Sequence, residues 1–272
     1  MTLSDVGEWQ LAAHIGGDGP AVVLLHGLLT DSRIWGQLPD SLAPRHRVIS
    51  VDAPGHGGSP ARPAPFTLEA EADALADLVR GLTDGAPAVW TGHSMGGMKA
   101  MRVALAHPDL VHSLVLVSTQ PHPEPERTAR PYEAMVEMAK TWGMSEDMAE
   151  VMGRLNFGKE YRATPEGRAW IRHLADIDGY AVEHACEAVF RRGDISDRLE
   201  ELRVPTLVVH GSDDIPIRVP IARAYADRIP GARFVQLEAT GHTPPCERPA
   251  QLRKHIEEFL ATLPAHPMWR MK

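Results

Sequence analysis

The sequence has few cysteines, no long apolar run and no concentration of positive charge. Its two cysteines, Cys186 and Cys246, are too few for a disulfide framework and lack the spacing of a zinc site. No apolar run approaches the ~20 residues that span a bilayer, and residues 1–5 lack the basic and apolar regions of a signal peptide. We therefore expect a cytoplasmic protein that is not inserted in a membrane.

The balance of charges excludes two further classes of partner. The chain has 28 Lys and Arg against 36 Asp and Glu, which gives a formal net charge of −8 without a basic block. Such a chain is not expected to bind nucleic acid or an anionic membrane surface. Its 272 residues, of which 43% are hydrophobic, are enough for one α/β core.

A serine between glycines, preceded by an apolar run that begins at Ala88, has the pattern of a nucleophile elbow. In so tight a strand-to-helix turn Ser94 would adopt a positive φ, and the close backbone contacts would require Gly92 and Gly96. The turn would expose the serine hydroxyl and direct backbone N–H groups of the following helix toward a developing oxyanion. The five residues alone also fit a glycine-rich turn capped by serine, so the rest of the chain must decide.

Two later loops supply the partners that a nucleophilic serine needs. One apolar run is followed by a turn with Asp213 and Asp214, and another precedes His242. The order serine, aspartate, histidine is that of α/β-hydrolases, whereas the two large serine protease folds use other orders. Ser94 would then be the nucleophile and His242 its general base.

Four motifs together resemble the α/β-hydrolase superfamily, in particular its small esterases, enol-lactonases and cofactor-free haloperoxidases or perhydrolases. They are an oxyanion turn at 26–29, a D-x-P-G-x-G-x-S loop at 52–59, the elbow at 92–97 and a histidine loop at 241–249. The resemblance covers nearly the whole chain except its middle segment. It implies one α/β domain with a helical lid over the site.

The resemblance also implies roles for individual residues. The family's acid turn has the pattern G-x-x-D, which selects Asp214 rather than Asp213 as the acid that orients His242. The family's oxyanion hole would be formed by the backbone N–H groups of Leu28 and Met95.

Three histidines of the motifs are expected to be structural, and the sequence predicts no metal site and no cofactor. In the resembling family, these histidines, His26, His56 and His93, orient turns or pack beside the sheet.

Alternating apolar runs and helical patterns predict an α/β-hydrolase fold, with a mostly parallel central sheet flanked by helices. Buried strands are predicted at 21–26, 47–52, 88–92, 112–118, 205–210 and 233–237, with an antiparallel edge strand at 8–15. Helical periodicity begins after Thr67 and recurs from Leu252 to Leu260.

The segment 121–199 interrupts this alternation. Its proline-rich start at 121–126 excludes a helix there, and helical patterns follow at 132–142, 145–155, 164–174 and 180–191. The resembling family carries its lid between strands six and seven. We therefore expect a core domain of residues 1–120 and 200–272 and a helical lid of residues 121–199.

Apolar side chains of this segment are candidates for the substrate pocket. Met144, Met148 and Met152 recur at the i, i+4, i+8 spacing of one helical stripe. They either pack against the core or, together with Trp142 and Phe157, form a deformable apolar wall. We place the substrate pocket at Trp142, Met144, Met148 and Phe157.

These features predict a serine hydrolase that cleaves small or medium carboxylic esters or lactones through an acyl-serine intermediate. Relatives that cleave carbon–halogen bonds or epoxides have an aspartate at the elbow, so Ser94 argues against both. Perhydrolysis or halogenation through a peracid, carbon–carbon bond hydrolysis and hydroxynitrile lysis use the same triad and stay open. For carbon–carbon hydrolysis, Arg154, Arg191 and Arg192 could supply polar lid groups. A ligand receptor on a hydrolase scaffold is the non-enzymatic alternative, and the oligomeric state does not follow from the sequence.

Overall fold

An eight-stranded sheet lies at the centre of the computed structural model, which describes residues 1–265 and Met268. The strands are β1 (Thr2–Val6), β2 (Trp9–Gly16), β3 (Ala21–Leu25), β4 (Arg47–Val51), β5 (Ala88–His93), β6 (Val111–Val117), β7 (Thr206–Gly211) and β8 (Arg233–Leu237). Their order in the sheet is β1-β2-β4-β3-β5-β6-β7-β8. The pairs β1–β2 and β2–β4 are antiparallel, and every other neighbouring pair is parallel.

Helices flank this sheet on both faces. They are α1 (Leu38–Leu42), α2 (Leu68–Thr83), α3 (Met95–Ala106), α4 (Glu126–Trp142), α5 (Glu146–Asn156), α6 (Lys159–Arg162), α7 (Pro165–Ala175), α8 (Gly179–Phe190), α9 (Val219–Ala226), α10 (Pro244–Glu247) and α11 (Pro249–Thr262). Short 3₁₀ turns lie at Ser32–Trp35, Pro108–Leu110 and Ser196–Glu201. Among the described residues, no helix combines the length and apolar character needed to cross a membrane.

The core has two layers because successive residues of a strand point to opposite faces of the sheet. On one face Val23 packs in a buried cluster with Leu75 of α2 and Met101 of α3. On the other face the next residue of β3, Leu24, packs in a cluster with Ile256 of α11. Burial on both faces explains why the parallel strands have continuous apolar runs rather than alternating ones.

The seven strands predicted from the sequence are present, with ends shifted by no more than one residue. β1 was not predicted, because three of its five residues, Thr2, Ser4 and Asp5, are polar and the strand is largely exposed. Thr67 caps α2 as expected, since its side chain accepts a hydrogen bond from the Ala70 N–H.

The helices α4 to α8 are inserted between β6 and β7. The prediction that the first of them begins at residue 132 is wrong, because α4 begins at Glu126 and contains Pro131. Proline lacks the N–H that would bond to the Arg127 carbonyl, but a helix tolerates the loss of one bond near its start. The proline-rich stretch before α4 is outside the helix.

The loops that follow β3, β5, β6, β7 and β8 all leave the carboxyl edge of the parallel strands. This edge is where open α/β sheets bind ligands. It brings the oxyanion turn, the elbow, the acid turn and the histidine loop to one place.

Candidate active site

Ser94 lies in the sharp turn between β5 and α3, with φ 49° and ψ −115°. Its N–H donates to the Val117 carbonyl over 2.9 Å, which fixes the turn against β6. A Cβ on Gly92 would lie 2.3 Å from the Gly96 carbonyl carbon, and a Cβ on Gly96 would lie 2.2 Å from the Leu25 carbonyl oxygen. Both positions therefore require glycine, as the sequence indicates.

Three side chains distant in the sequence form a hydrogen-bonded chain at this turn. His242 Nε2 lies 2.9 Å from Ser94 Oγ, and His242 Nδ1 lies 2.8 Å from Asp214 Oδ2. Asp214 and His242 are buried, whereas Asp213 is exposed and accepts a hydrogen bond from Ser212 Oγ. The structure thus brings Asp214, and not Asp213, to the histidine.

The carboxylate of Asp214 has two further contacts. Its Oδ1 accepts from the Ile217 N–H over 2.8 Å, and its Oδ2 lies 3.3 Å from Nε2 of the buried His210. Burial raises the pKa of Asp214, but the charge and hydrogen bond of His242 outweigh it and hold that pKa below its usual value. The carboxylate is therefore ionised beside the imidazole.

The pKa of His242 changes in the opposite direction. Burial lowers it, but the Asp214 charge and hydrogen bond raise it more, and the carboxylates of Glu247 and Glu124 add to the rise. The imidazole is consequently a stronger base than a free histidine side chain.

The backbone N–H groups of Leu28 and Met95, which the sequence predicts for an oxyanion hole, belong to the two turns beside Ser94. Met95 is the first residue of α3, where N–H groups have no intrahelical partner and the helix dipole is positive. Leu29 has φ 60° and donates its N–H to His56 Nε2 over 3.1 Å. This N–H is therefore already hydrogen-bonded to a protein side chain. The neighbouring Leu28 lines the same cavity as Ser94.

The motif histidines hold loops together. His26 Nδ1–H donates to the Gly27 carbonyl over 2.7 Å, and its Nε2 accepts from the Ala53 N–H over 2.8 Å. Burial lowers the pKa of His26 to about 4 and that of His56 to about 3, so both rings are neutral at pH 7. His93, whose pKa burial lowers to about 3, donates through Nε2 to the His242 carbonyl over 2.7 Å.

A buried glutamate, for which the sequence indicates no role, holds the histidine loop. The Glu247 carboxylate accepts from the N–H groups of Gly241, Gly158 and Thr243 over 2.8, 2.9 and 3.1 Å. Burial raises the pKa of Glu247, and these three hydrogen bonds oppose the rise. Its place in the histidine-loop motif was the only available signal.

A cavity of about 890 Å³ opens onto Ser94 and His242. Its wall is mostly apolar and is formed by the inserted helices, α3 and the loops after β6 and β7, with contributions from Met98, Met135, Val136, Met152, Val189 and Phe190. The volume is in the range of small-molecule sites.

Comparison with known proteins identifies the family of this chain. Residues 22–254 match the family model described as the alpha/beta hydrolase family. The chain belongs to this family. The predicted fold and the predicted resemblance are therefore confirmed.

Relatives of the hydrolase include esterases and a lactonase. A pimeloyl-[acyl-carrier protein] methyl ester esterase of Aromatoleum aromaticum is 30% identical over 261 residues, 89% of this chain and 98% of that protein. The structure of a thermophilic esterase from Thermogutta terrifontis has a TM-score of 0.89 and 30% identity, and covers 96% of both chains. The enol-lactonase of Burkholderia xenovorans LB400 has a TM-score of 0.88 and 26% identity, covering 96% of the hydrolase and 100% of the lactonase.

Of the four pocket residues predicted for the hydrolase, Met144 lines the cavity and three do not. Trp142 is 82% exposed at the end of α4, Met148 is half-buried outside the lining, and Phe157 is buried among the inserted helices. The predicted stripe is not one helix face, because α5 begins at Glu146 and Met144 precedes it. Met152, the third methionine of the stripe, does line the cavity.

One side of the cavity is polar. Gln120 Nε2 donates to Glu124 Oε1 over 2.7 Å, and Arg192 Nη2 donates to the same oxygen over 3.2 Å. The Arg192 side chain is fully buried, and burial lowers the pKa of its guanidinium. Of the three arginines considered for polar lid groups, Arg154 and Arg191 are exposed instead.

Both cysteines of the hydrolase are free, with Cys186 buried and Cys246 half-buried. Burial raises the pKa of the Cys186 thiol to about 12, so it is protonated at neutral pH. In the part of the chain that the structure describes, no group of three or more His, Cys, Asp and Glu is placed to hold a metal ion.

Proposed function

We propose that the protein is a serine hydrolase that cleaves small or medium carboxylic esters or lactones through an acyl-serine intermediate at Ser94, without a cofactor. The hydrogen-bonded chain from Ser94 Oγ through His242 to Asp214, at the foot of an apolar cavity, carries the proposal. A base that is hydrogen-bonded to a nucleophile and oriented by an acid is the arrangement needed for covalent acyl transfer.

The three residues of the hydrogen-bonded chain have different roles in the proposed mechanism. His242 Nε2 accepts the hydroxyl proton as Ser94 Oγ attacks the acyl carbon, and Asp214 stabilises the imidazolium. The N–H groups of Leu28 and Met95 bind the oxyanion of the tetrahedral intermediate. His242 then protonates the leaving alcohol, and a water molecule activated by the same imidazole releases the acid from the acyl-serine.

The substrate class is supported by the cavity and by the relatives. An apolar wall favours uncharged acyl or alcohol groups, and the relatives are named as a methyl ester esterase, an esterase and an enol-lactonase. We further propose that residues 121–199 act as a lid that sets the size of these groups, over a core of residues 1–120 and 200–272. Met144 and Met152 of this segment line the cavity.

The test is turnover of p-nitrophenyl esters from acetate to decanoate, together with lactones, and with hydrogen peroxide plus acetate as the perhydrolase reaction. The parent should hydrolyse an ester or a lactone, and Ser94→Ala should lose this activity by several orders of magnitude while staying folded. Ser212→Ala, at a serine outside the hydrogen-bonded chain, is the control and should keep parent activity. A folded Ser94→Ala variant within tenfold of the parent would refute the proposal.

A further inference from the structure

The polar side of the cavity contains a carboxylate oxygen without a hydrogen-bond partner among the described residues. The two hydrogen bonds of the Glu124 carboxylate, from Gln120 Nε2 and from Arg192 Nη2, both end on Oε1. A carboxylate has about four acceptor positions on its two oxygens, so Oε2 can still accept. Glu124 lines the cavity and its side chain is 16% exposed.

The partners of Glu124 hold it firmly. Arg192 is fully buried, and its other terminal nitrogen, Nη1, donates to the Val189 carbonyl over 2.5 Å. Gln120 is also buried and follows Thr119, whose Oγ1 donates to the Ser94 carbonyl over 2.7 Å. The carboxylate is thus anchored to the loop that contacts the nucleophile's own backbone.

The charge of this pair determines which ligand group fits. Because Arg192 balances the charge of Glu124, a bound cation gains little net attraction there, while Oε2 still accepts a strong hydrogen bond. A substrate that covers Oε2 without donating to it leaves a carboxylate oxygen without a partner, which is costly, so a neutral donor is the group that the site favours. Glu124 lines the same cavity as Ser94 and His242.

We infer that Glu124 is a specificity-determining residue that accepts a hydrogen bond from a neutral donor of the substrate, a hydroxyl group, while Ser94 attacks the ester. The enzyme then prefers hydroxylated esters to apolar or ether-bearing esters of similar size. This inference rests on the proposed function, since it concerns the substrate of the same cavity.

The experiment compares p-nitrophenyl hexanoate with its 2-, 3- and 6-hydroxy derivatives and the three matched methoxy derivatives, which accept but do not donate. For at least one position the parent should show a kcat/KM about tenfold higher for the hydroxy ester than for the methoxy ester, as expected for a hydrogen bond to a charged group. A ratio below twofold at all three positions overturns the inference.

The variant Glu124→Gln tests whether the preference for hydroxy esters depends on the Glu124 carboxylate. The amide oxygen can keep the bonds from Gln120 and Arg192, while the amide NH₂ presents a donor where Oε2 accepted. The hydroxy-to-methoxy ratio should fall to about one or below. Glu126→Gln removes the same charge two residues away, at an exposed position, and should keep the parent ratio.

The outcomes separate the two proposals. A folded Glu124→Gln variant that retains the parent's preference overturns the inference and leaves the esterase proposal intact. If Glu124→Gln does not fold, the parent's ratio decides. Failure of the parent to hydrolyse any of the seven esters, or the lactones of the first test, overturns the proposed function and this inference with it.

Discussion

Replacing Glu247 by glutamine should impair the enzyme without touching the triad. The two carboxylate oxygens accept three N–H groups: Oε2 accepts those of Gly241 and Gly158, and Oε1 accepts that of Thr243. Gly241 and Thr243 are the residues on either side of His242. The Glu247 side chain therefore fixes the backbone from which the imidazole projects, and links it to the inserted helices.

The loss of stability in Glu247→Gln depends on the number of hydrogen-bond acceptors that remain. A glutamine has one carbonyl oxygen, so it can replace Oε2 but then turns its NH₂ toward the Thr243 N–H, and a buried donor loses its partner. Such a loss costs about 1–3 kcal/mol of unfolding free energy. At ~2–4 °C per kcal/mol for a chain of this size class, we expect a Tm about 2–12 °C lower.

Activity should fall through the position of His242. A displacement of about 1 Å can cost ~10²-fold in rate, so we expect kcat to fall at least tenfold with KM little changed. The apparent pKa of kcat/KM should also fall, because the Glu247 charge helps to raise the pKa of His242.

Thermal melts and pH profiles of Glu247→Gln would be compared with those of Glu238→Gln, which removes an exposed charge from the same loop region. The control should match the parent in Tm, in kcat and in pH profile. If Glu247→Gln also matches the control in Tm, kcat and pH profile, then the carboxylate does not position the histidine and the reasoning is refuted.

The remaining predictions concern the acid, the pH profile and the pocket. Asp214→Asn should reduce kcat far more than Asp213→Asn, because only the former contacts His242; equal losses in two folded variants would show that the acid is misassigned. Since hydrolysis needs neutral His242, whose pKa is raised above 6.5, kcat/KM should fall on acidification through an apparent pKa above that value. A profile that stays flat down to about pH 5 would contradict a histidine base. Met152→Ala should enlarge the cavity and shift the ester series toward longer acyl chains, whereas Met148→Ala, on the same helix but outside the lining, should not. An unchanged chain-length profile in both would mean that acyl groups bind elsewhere in the cavity.

The arrangement of the fold could be predicted because its signals are local. Buried parallel strands give continuous apolar runs, and a turn as tight as the elbow accepts only glycine at Gly92 and Gly96. An apolar run precedes each of Ser94, Asp214 and His242, and this predicts that each residue follows the carboxyl end of a strand. The structure brings the three side chains together there.

The cavity wall could not be predicted in the same way. Helical periodicity indicates that a face is apolar, but not whether it packs against a neighbouring helix or faces an open space. Neither Trp142 nor Phe157 lines the cavity. Trp142 is exposed to solvent, and Phe157 is buried among the inserted helices. The pairing of Glu124 with Arg192 joins residues 68 positions apart, and depends on how the inserted helices fold back.

Ser94 acts as a nucleophile in the proposed mechanism, and His242 activates it. The most direct test is reaction of the parent with a serine-directed fluorophosphonate, followed by mass spectrometry of the digested protein. We expect one adduct per chain, on the peptide that contains Ser94, with labelling abolished in Ser94→Ala and strongly slowed in a folded His242→Ala variant. An adduct on another residue, or labelling at the parent rate in either variant, would contradict this mechanism.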